Sequence, residues 1–256
     1  MTVLRVGLLQ HDITWEDRDA TLAHLEPMVV SAASAGARLV LATELFPVGF
    51  SMDTDKVAEP TGGPTSEWMA AQAAQHDVWL GGSVAERRDG EDRPDNCFVL
   101  VSPDGAQHRY SKVHRFTYGG EDEHYGPGTG EITVDLDGVR VTPFVCYDLR
   151  FADRWWAKAA ETDLYVCVAS WPQQRRTHWQ ALLTARAIEN LAYVAGVNRV
   201  GEGGGIGYAG DSRVVAPFGE LLADGEGAGE TVLLADVDTD VVAATRARFP
   251  FLADRG

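Results

Sequence analysis

Apolar positions along the chain fall in short unbroken runs, separated by stretches with helical spacing. Val3-Leu4-Arg5-Val6-Gly7-Leu8-Leu9 and Arg38-Leu39-Val40-Leu41-Ala42-Thr43-Glu44 have the length and apolar density of buried strands. Between them Leu22, Leu25, Met28 and Val29 recur on one helical face, which predicts a helix over 19–34 with Gly36 as its stop. A helix over 66–75, capped by Thr65 or Ser66, and a strand over 78–84 come next. Pro103-Asp104-Gly105 is a turn signal joining strands 97–101 and 108–111 as a hairpin. The run 139–145 then opens a second pass: a helix over 152–161, a strand over 164–169, and an amphipathic helix over 177–191. Trp179, Leu182, Leu183 and Ile188 mark one face of that last helix. Strands are expected at 193–198, 212–216 and 231–237. Two passes of strand–helix–strand with added hairpins define an α/β protein. Two sheets packed face to face with helices outside fit the pattern, and so does one open doubly wound sheet.

Length and charge narrow the class. At 256 residues with no Pro/Ser/Gly-rich linker, residues 1–256 are expected to form a single domain. A net charge of −16 argues against a nucleic-acid partner, which would need clustered Lys and Arg. No long apolar span or signal-peptide pattern is present, so no membrane contact and a cytoplasmic location are expected. The three cysteines, at 97, 146 and 167, form no Cys-x-x-Cys pair, which disfavours a disulfide framework or a cysteine-rich zinc site.

Candidate chemistry centres on Cys146, where the run 139–145 ends and a polar, helix-favouring stretch begins. A thiol there opens into a cleft, and a helix N-terminus just after it can lower its pKa; the plainer alternative is an inert core thiol. Glu44 ends another apolar run, where a charge is expensive without a partner or a task; otherwise it is a solvated strand end. Lys112 comes after the second hairpin strand and alone would be a surface charge. Together the three stand at the C-terminal ends of expected strands, the side on which α/β sheets build active sites. A thiol nucleophile with a carboxylate base and a cation for the oxyanion is a working set for acyl transfer.

These residues lie in segments that resemble the nitrilase, or carbon–nitrogen hydrolase, superfamily. The matching segments are Thr43-Glu44-Leu45-Phe46-Pro47, Ser111-Lys112-Val113-His114 and Val145-Cys146-Tyr147-Asp148-Leu149-Arg150-Phe151. Trp171-Pro172, Arg186-Ala187-Ile188-Glu189-Asn190, Asn198-Arg199-Val200-Gly201 and Tyr208-Ala209-Gly210-Asp211-Ser212 continue the match in the same order. The resemblance implies a four-layer α-β-β-α sandwich, usually dimeric, with the helix from Thr177 and the segment 246–252 as interface material. It also implies Glu44 as general base, Cys146 as nucleophile, Lys112 as stabiliser of the tetrahedral intermediate and the Tyr147 amide as an oxyanion donor. A second glutamate is expected six residues before a Pro-Gly; Glu121 has that spacing to Pro127-Gly128, with Glu123 close by. No metal or organic cofactor is implied.

Val48-Gly49-Phe50-Ser51-Met52-Asp53 and Ala169-Ser170-Trp171-Pro172, with Arg175 and Trp179 just beyond, resemble the ω-amidase branch. That branch hydrolyses the terminal amide of 2-oxo dicarboxylic acid monoamides such as 2-oxoglutaramate. An anionic substrate needs a locally positive pocket in so acidic a chain; Arg150, Arg175, Arg176 and Arg199 are the candidates. Phe50, Phe116 and Trp171 are candidate walls, with core packing as the alternative. A broad aliphatic amidase, an N-carbamoyl amine hydrolase and a non-catalytic binding protein are the competing readings.

Three other motifs have weaker claims. Gly205-Ile206-Gly207-Tyr208-Ala209-Gly210 matches a dinucleotide fingerprint, but the segment after it is strand-like where a helix is required, so a glycine-rich loop near the pocket is favoured. Glu121-Asp122-Glu123-His124 with His114 matches no metal-ligand spacing, and a solvated loop is preferred. Arg186 and Glu189 read as an i,i+3 surface or interface pair.

Overall fold

A computed structural model describes residues 2–254; Met1, Arg255 and Gly256, at the ends of the expected 1–256 domain, lie outside the described residues. The first sheet contains β1 (Val3–Gln10), β2 (Leu39–Leu41), β3 (Glu59–Pro60), β4 (Trp79–Arg87), β5 (Asp95–Val101) and β6 (Gln107–Ser111). The second contains β7 (Val134–Leu136), β8 (Val139–Val145), β9 (Leu164–Ala169), β10 (Tyr193–Asn198), β11 (Val200–Gly203), β12 (Ile206–Val215) and β13 (Leu221–Glu226). The last strand, β14 (Thr231–Asp238), returns to the first sheet as the antiparallel neighbour of β1. The orders are β14-β1-β2-β4-β5-β6, with β3 beside β4, and β11-β12-β10-β9-β8-β7, with β13 beside β12.

The helices are α1 (Arg18–Ser34), α2 (Thr54–Val57), α3 (Pro64–His76), α4 (Glu121–His124), α5 (Ala152–Lys158), α6 (Arg176–Asn190) and α7 (Thr239–Arg248). Strand alternation explains their placement. Leu39 and Leu41 of β2, and Phe98 and Leu100 of β5, enter one core with Val141, Val166 and Val197 of the second sheet. Val40, Val99 and Val101 face the other way, into a core with Leu25 and Val29 of α1 and Met69 of α3. Both faces of these strands are buried, which is why they read as continuous apolar runs. On the second sheet α6 lies so close that a Cβ at Gly196 would sit 2.3 Å from a Leu183 methyl. The result is the four-layer α-β-β-α sandwich; the single open sheet is excluded.

Several boundaries differ from expectation. The run 38–44 pairs only over Leu39–Leu41, because the chain turns at Leu45, which has φ 44°. α5 stops at Lys158, and 159–161 tighten into a 3₁₀ turn. β12 begins six residues before the expected strand, pairing with β11 as a hairpin. The glycines of this hairpin hide its strand character, and they are the glycine-rich fingerprint segment. The second pass of the chain therefore builds a sheet edge there, with Ile206 and Tyr208 on the wall of the pocket.

Candidate active site

The parallel strands β2, β8, β9 and β10, together with β6, direct their C-terminal ends to one side of the sandwich. Glu44 lies just beyond β2, Lys112 beyond β6, Cys146 beyond β8 and Ser170 beyond β9, while Asn198 ends β10. Open α/β sheets bind ligands on this side. A pocket of about 300 Å³ opens there, with Cys146, Glu44 and Tyr147 on its surface. Phe50, Phe116, Arg150 and Trp171, the four residues expected to meet substrate, all line it.

Behind the thiol lies a fully buried charge cluster. Lys112 Nζ donates to Glu44 Oε1 at 2.8 Å and to both Glu121 oxygens at 2.9 and 2.8 Å. All three side chains are at most 1 % exposed. Asn96, which no sequence signal marks, donates through Nδ2 to Glu44 Oε1 and to Glu121 Oε1, each at 2.9 Å. Glu44 Oε2 accepts from the Ser170 amide at 2.8 Å, and Glu121 Oε2 from the Phe116 amide at 2.6 Å. Of the two candidate glutamates, Glu121 lies in the cluster, and Glu123 is exposed. The Pro-Gly downstream also has a packing reason. The Gly128 amide donates to the Lys112 carbonyl at 2.9 Å, and a Cβ at Gly128 would lie 1.9 Å from the Ser111 oxygen.

Burial dominates the electrostatics. Desolvation works against the Lys112 ammonium, but Glu121 and Glu44 outweigh it and hold its pKa well above the ordinary lysine value. Burial raises the Glu121 pKa, with Lys112 pulling against it. Burial also pushes the Cys146 thiol well above its ordinary value; the adjacent Glu44 adds to this, and Lys112 opposes it. The expectation of a thiol activated by a helix N-terminus is thus corrected. The cysteine opens a short 3₁₀ segment, Cys146–Arg150, in place of a long helix, and desolvation by the surrounding protein is the largest influence on its thiol.

Cys146 itself has φ 47°, a left-handed conformation that only the surrounding contacts can maintain. Asp148 supplies several of them. Its Oδ2 accepts from the Val145 amide at 3.1 Å and the Tyr110 hydroxyl at 2.8 Å, and its Oδ1 accepts from the His114 amide at 2.9 Å. Arg186 supplies more, donating from Nε and Nη2 to the Leu149 carbonyl at 3.1 and 2.7 Å, while Nη1 reaches Glu189 at 2.8 Å. The expected i,i+3 contact of Arg186 with Glu189 is present, but Arg186 is 4 % exposed, so the surface placement is corrected: its other nitrogens anchor the turn that carries the cysteine.

Of the four arginines proposed for a positive field, two are elsewhere. Arg176 is bound to Asp211 and Glu226, and Arg199 is fully buried on Asp12. Arg150 and Arg175 line the pocket. Arg150 lies over the Trp171 ring at 4.8 Å, with Nη2 3.2 Å from His178 Nδ1, and Arg175 lies over the Phe116 ring at 5.2 Å. Among the described residues neither has a carboxylate partner. Trp171 is held in place by Asn198, whose amide bonds both the backbone N–H and the carbonyl of Trp171 at 2.7 and 3.1 Å.

A thiol, a carboxylate and a buried ammonium gather at the strand ends of an α-β-β-α sandwich, and similar proteins place this architecture among hydrolases of amide-type carbon–nitrogen bonds. The carbon–nitrogen hydrolase family model matches residues 5–247, and the chain belongs to that family. It is 39 % identical over 255 residues to omega-amidase YafV of Escherichia coli strain K12, covering 99 % of this chain and 97 % of that protein. It is 29 % identical over 255 residues to 2-oxoglutaramate amidase of Bacillus subtilis, covering 97 % and 96 %. The crystal structure of XC1258 from Xanthomonas campestris, a CN-hydrolase superfamily protein with an arsenic adduct in its active site, superposes with a TM-score of 0.93. That chain is 36 % identical, with 100 % of this chain and 98 % of the other covered. The protein is an amidohydrolase, and the reading as a non-catalytic binding protein is set aside.

Proposed function

We propose that this protein releases ammonia from the terminal amide of a small 2-oxo dicarboxylic acid monoamide, of the 2-oxoglutaramate kind, through a thioester on Cys146. The observation behind this reading is the pair Arg150 and Arg175, two guanidiniums without carboxylate partners on a pocket rich in aromatic side chains in a chain of net charge −16. Stacking on Trp171 and Phe116 holds both cations over the cavity, where a substrate carboxylate would complete them. The names of the Escherichia coli and Bacillus subtilis relatives point to the same substrates.

The hydrogen bonds divide the work within the cluster. Each carboxylate oxygen has two in-plane lone pairs. Glu44 Oε1 spends both on Lys112 and Asn96; Oε2 spends one on Ser170 and keeps one. Oε2 is therefore the base. Glu121 has all four acceptor sites filled by Asn96, Lys112 twice and Phe116, so it serves as a fixed counter-charge for Lys112. Because the thiol pKa is raised, proton transfer to Glu44 Oε2 accompanies attack of Sγ on the amide carbon. The carbonyl oxygen becomes an oxyanion facing the Lys112 charge and the Tyr147 N–H. Collapse breaks the C–N bond, and the leaving amine takes the proton from Glu44 to depart as ammonia. A water then gives its proton to Glu44 and attacks the thioester, and Sγ recovers that proton as the acid leaves.

The decisive assay compares ammonia release from 2-oxoglutaramate, simple aliphatic amides and N-carbamoyl amines. Comparable rates on all three would overturn the assignment in favour of a broad amidase. Arg150→Ala and Arg175→Ala should each raise KM for 2-oxoglutaramate about 10- to 100-fold, the worth of a charge-assisted hydrogen bond. Their rates on propionamide should stay within threefold of the parent; equal losses on both substrates would remove the carboxylate role.

Two further attributes belong with this reading. No helix among the described residues is long and apolar enough to cross a membrane, and three free thiols suit a reducing, cytoplasmic setting. Phe218 stacks on Phe249 beside Ile188, leaving Phe218 and Ile188 55 % and 44 % exposed; a homodimer would cover this apolar patch. Light scattering at twice the monomer mass is the expected result, and a monomer at micromolar concentration would sink it.

A further inference from the structure

The buried cluster holds two carboxylates and one ammonium, a net charge of −1 that meets the pocket only at Glu44. Burial raises the Glu121 pKa, and a base beside it needs one acceptor oxygen kept free for the thiol. Something must bridge the two carboxylates and leave the correct oxygen free. We propose that Asn96 does this: it is the positioning residue that saturates Glu44 Oε1, bridges Glu44 to Glu121, and reserves Glu44 Oε2 for Cys146. The proposal rests on the proposed Glu44–Cys146 chemistry.

Four contacts converge on Asn96. Its Nδ2 gives one hydrogen to Glu44 Oε1 and the other to Glu121 Oε1, so a single neutral group bridges the two anions. Its carbonyl oxygen Oδ1 accepts from the Ser83 hydroxyl at 2.8 Å. Ser83 Oγ in turn accepts from the Leu45 amide at 2.8 Å, so its one proton can go only to Asn96. The amide is thereby oriented, and the reverse orientation would aim an oxygen at two carboxylates. The Asn96 backbone carbonyl also accepts from the Lys112 amide at 2.9 Å, which ties the lysine to the same residue. Asn96 sits near the start of β5, which runs against β4 and β6, so its side chain reaches the edge where β2 and β6 end.

The choice of amide over acid is chemical. Each donated hydrogen favours the ionised carboxylate it meets, and the amide has no proton of its own to lose near neutral pH. An aspartate at this position would be a third carboxyl among two anions. It would have to hold a proton, and it could then donate to one glutamate only. The other glutamate would lose a donor, and the proton affinity of the whole cluster would rise.

Asn96→Asp and Ser83→Ala test this, with two readouts each: turnover against pH, and the rate at which iodoacetamide alkylates Cys146 against pH. In Asn96→Asp, kcat should fall about 100-fold at neutral pH with KM within threefold. The acidic limb of both profiles should move up by about one pH unit or more. In Ser83→Ala, where Asn96 remains but is no longer oriented, kcat should fall about fivefold to tenfold with a smaller shift in the same direction. An alkylation profile of parental position and shape in either folded variant would overturn the proposal and leave Asn96 a structural residue. Should Asn96→Asp fail to fold, Ser83→Ala decides alone, and a parental kcat and profile there also overturns it. Alkylation requires no amide substrate, so a wrong substrate assignment shows instead as normal Cys146 reactivity in the parent without 2-oxoglutaramate turnover.

Discussion

Cys146→Ala should fold as the parent does and release ammonia at least about 10⁵-fold more slowly, the loss seen when a covalent nucleophile is removed. The physical case for a folded variant is that nothing structural hangs on the sulfur. The left-handed backbone at 146 is imposed by Asp148 and Arg186, which bond main-chain atoms of the same turn, and alanine leaves those bonds in place. The side chain is half-buried on the pocket surface, so one missing atom opens space toward solvent and not a sealed cavity. The melting temperature should therefore stay within a few degrees. Ammonia release at more than a thousandth of the parental rate, with the Arg150 and Arg175 contacts intact, would refute nucleophilic catalysis by this residue. Loss of turnover together with loss of fold would contradict the account of what holds the turn.

How much of this can be read from the chain depends on how far apart the partners lie. The doubly buried strands are legible, because their apolar runs need no knowledge of what covers them. That there are two sheets is not legible from pattern alone: Phe98 and Val99 look alike in sequence, and only the fold sends one to the inter-sheet core and the other to α1 and α3. Cys146 and Glu44 are legible as a thiol and a charge where apolar runs end, whereas Lys112 follows the polar strand 107–111 and is marked only by the family-like segment around it. Asn96 is not, since the groups it bridges are 52 and 25 residues away and an asparagine at a strand start is unremarkable by itself. Arg186 misleads for the same reason. Helix arithmetic sees Glu189 one turn on, but not the Leu149 carbonyl 37 residues back. Glycines conceal β11 and the start of β12, whose pairing supplies the order that composition withholds.

Lys112→Met should be the most damaging substitution for stability and, with Cys146→Ala, for activity. The ammonium is the only cation bonded to two buried carboxylates among the described residues of this cluster. Removing one member of a buried ion pair costs about 3–5 kcal/mol, because the remaining charge is left desolvated. Here two glutamates are stranded, with only the Asn96, Ser170 and Phe116 donors to stabilise them. Burial already raises the Glu121 pKa against the pull of Lys112, and without that pull the folded-state pKa climbs further above the unfolded value. This sets the sign of the pH effect. A carboxyl whose pKa is higher folded than unfolded binds its proton more tightly in the native state, so its folding penalty grows as pH rises above the ordinary carboxylate range. Urea denaturation should show the variant losing most stability relative to the parent at pH 8 and recovering part of the deficit by pH 5. A deficit independent of pH would mean that the glutamates do not depend on Lys112 for their charge. Turnover should fall by about 10³-fold or more at every pH, since the substitution itself removes the oxyanion partner, and at low pH protonation of the glutamates that recovers stability also removes the base.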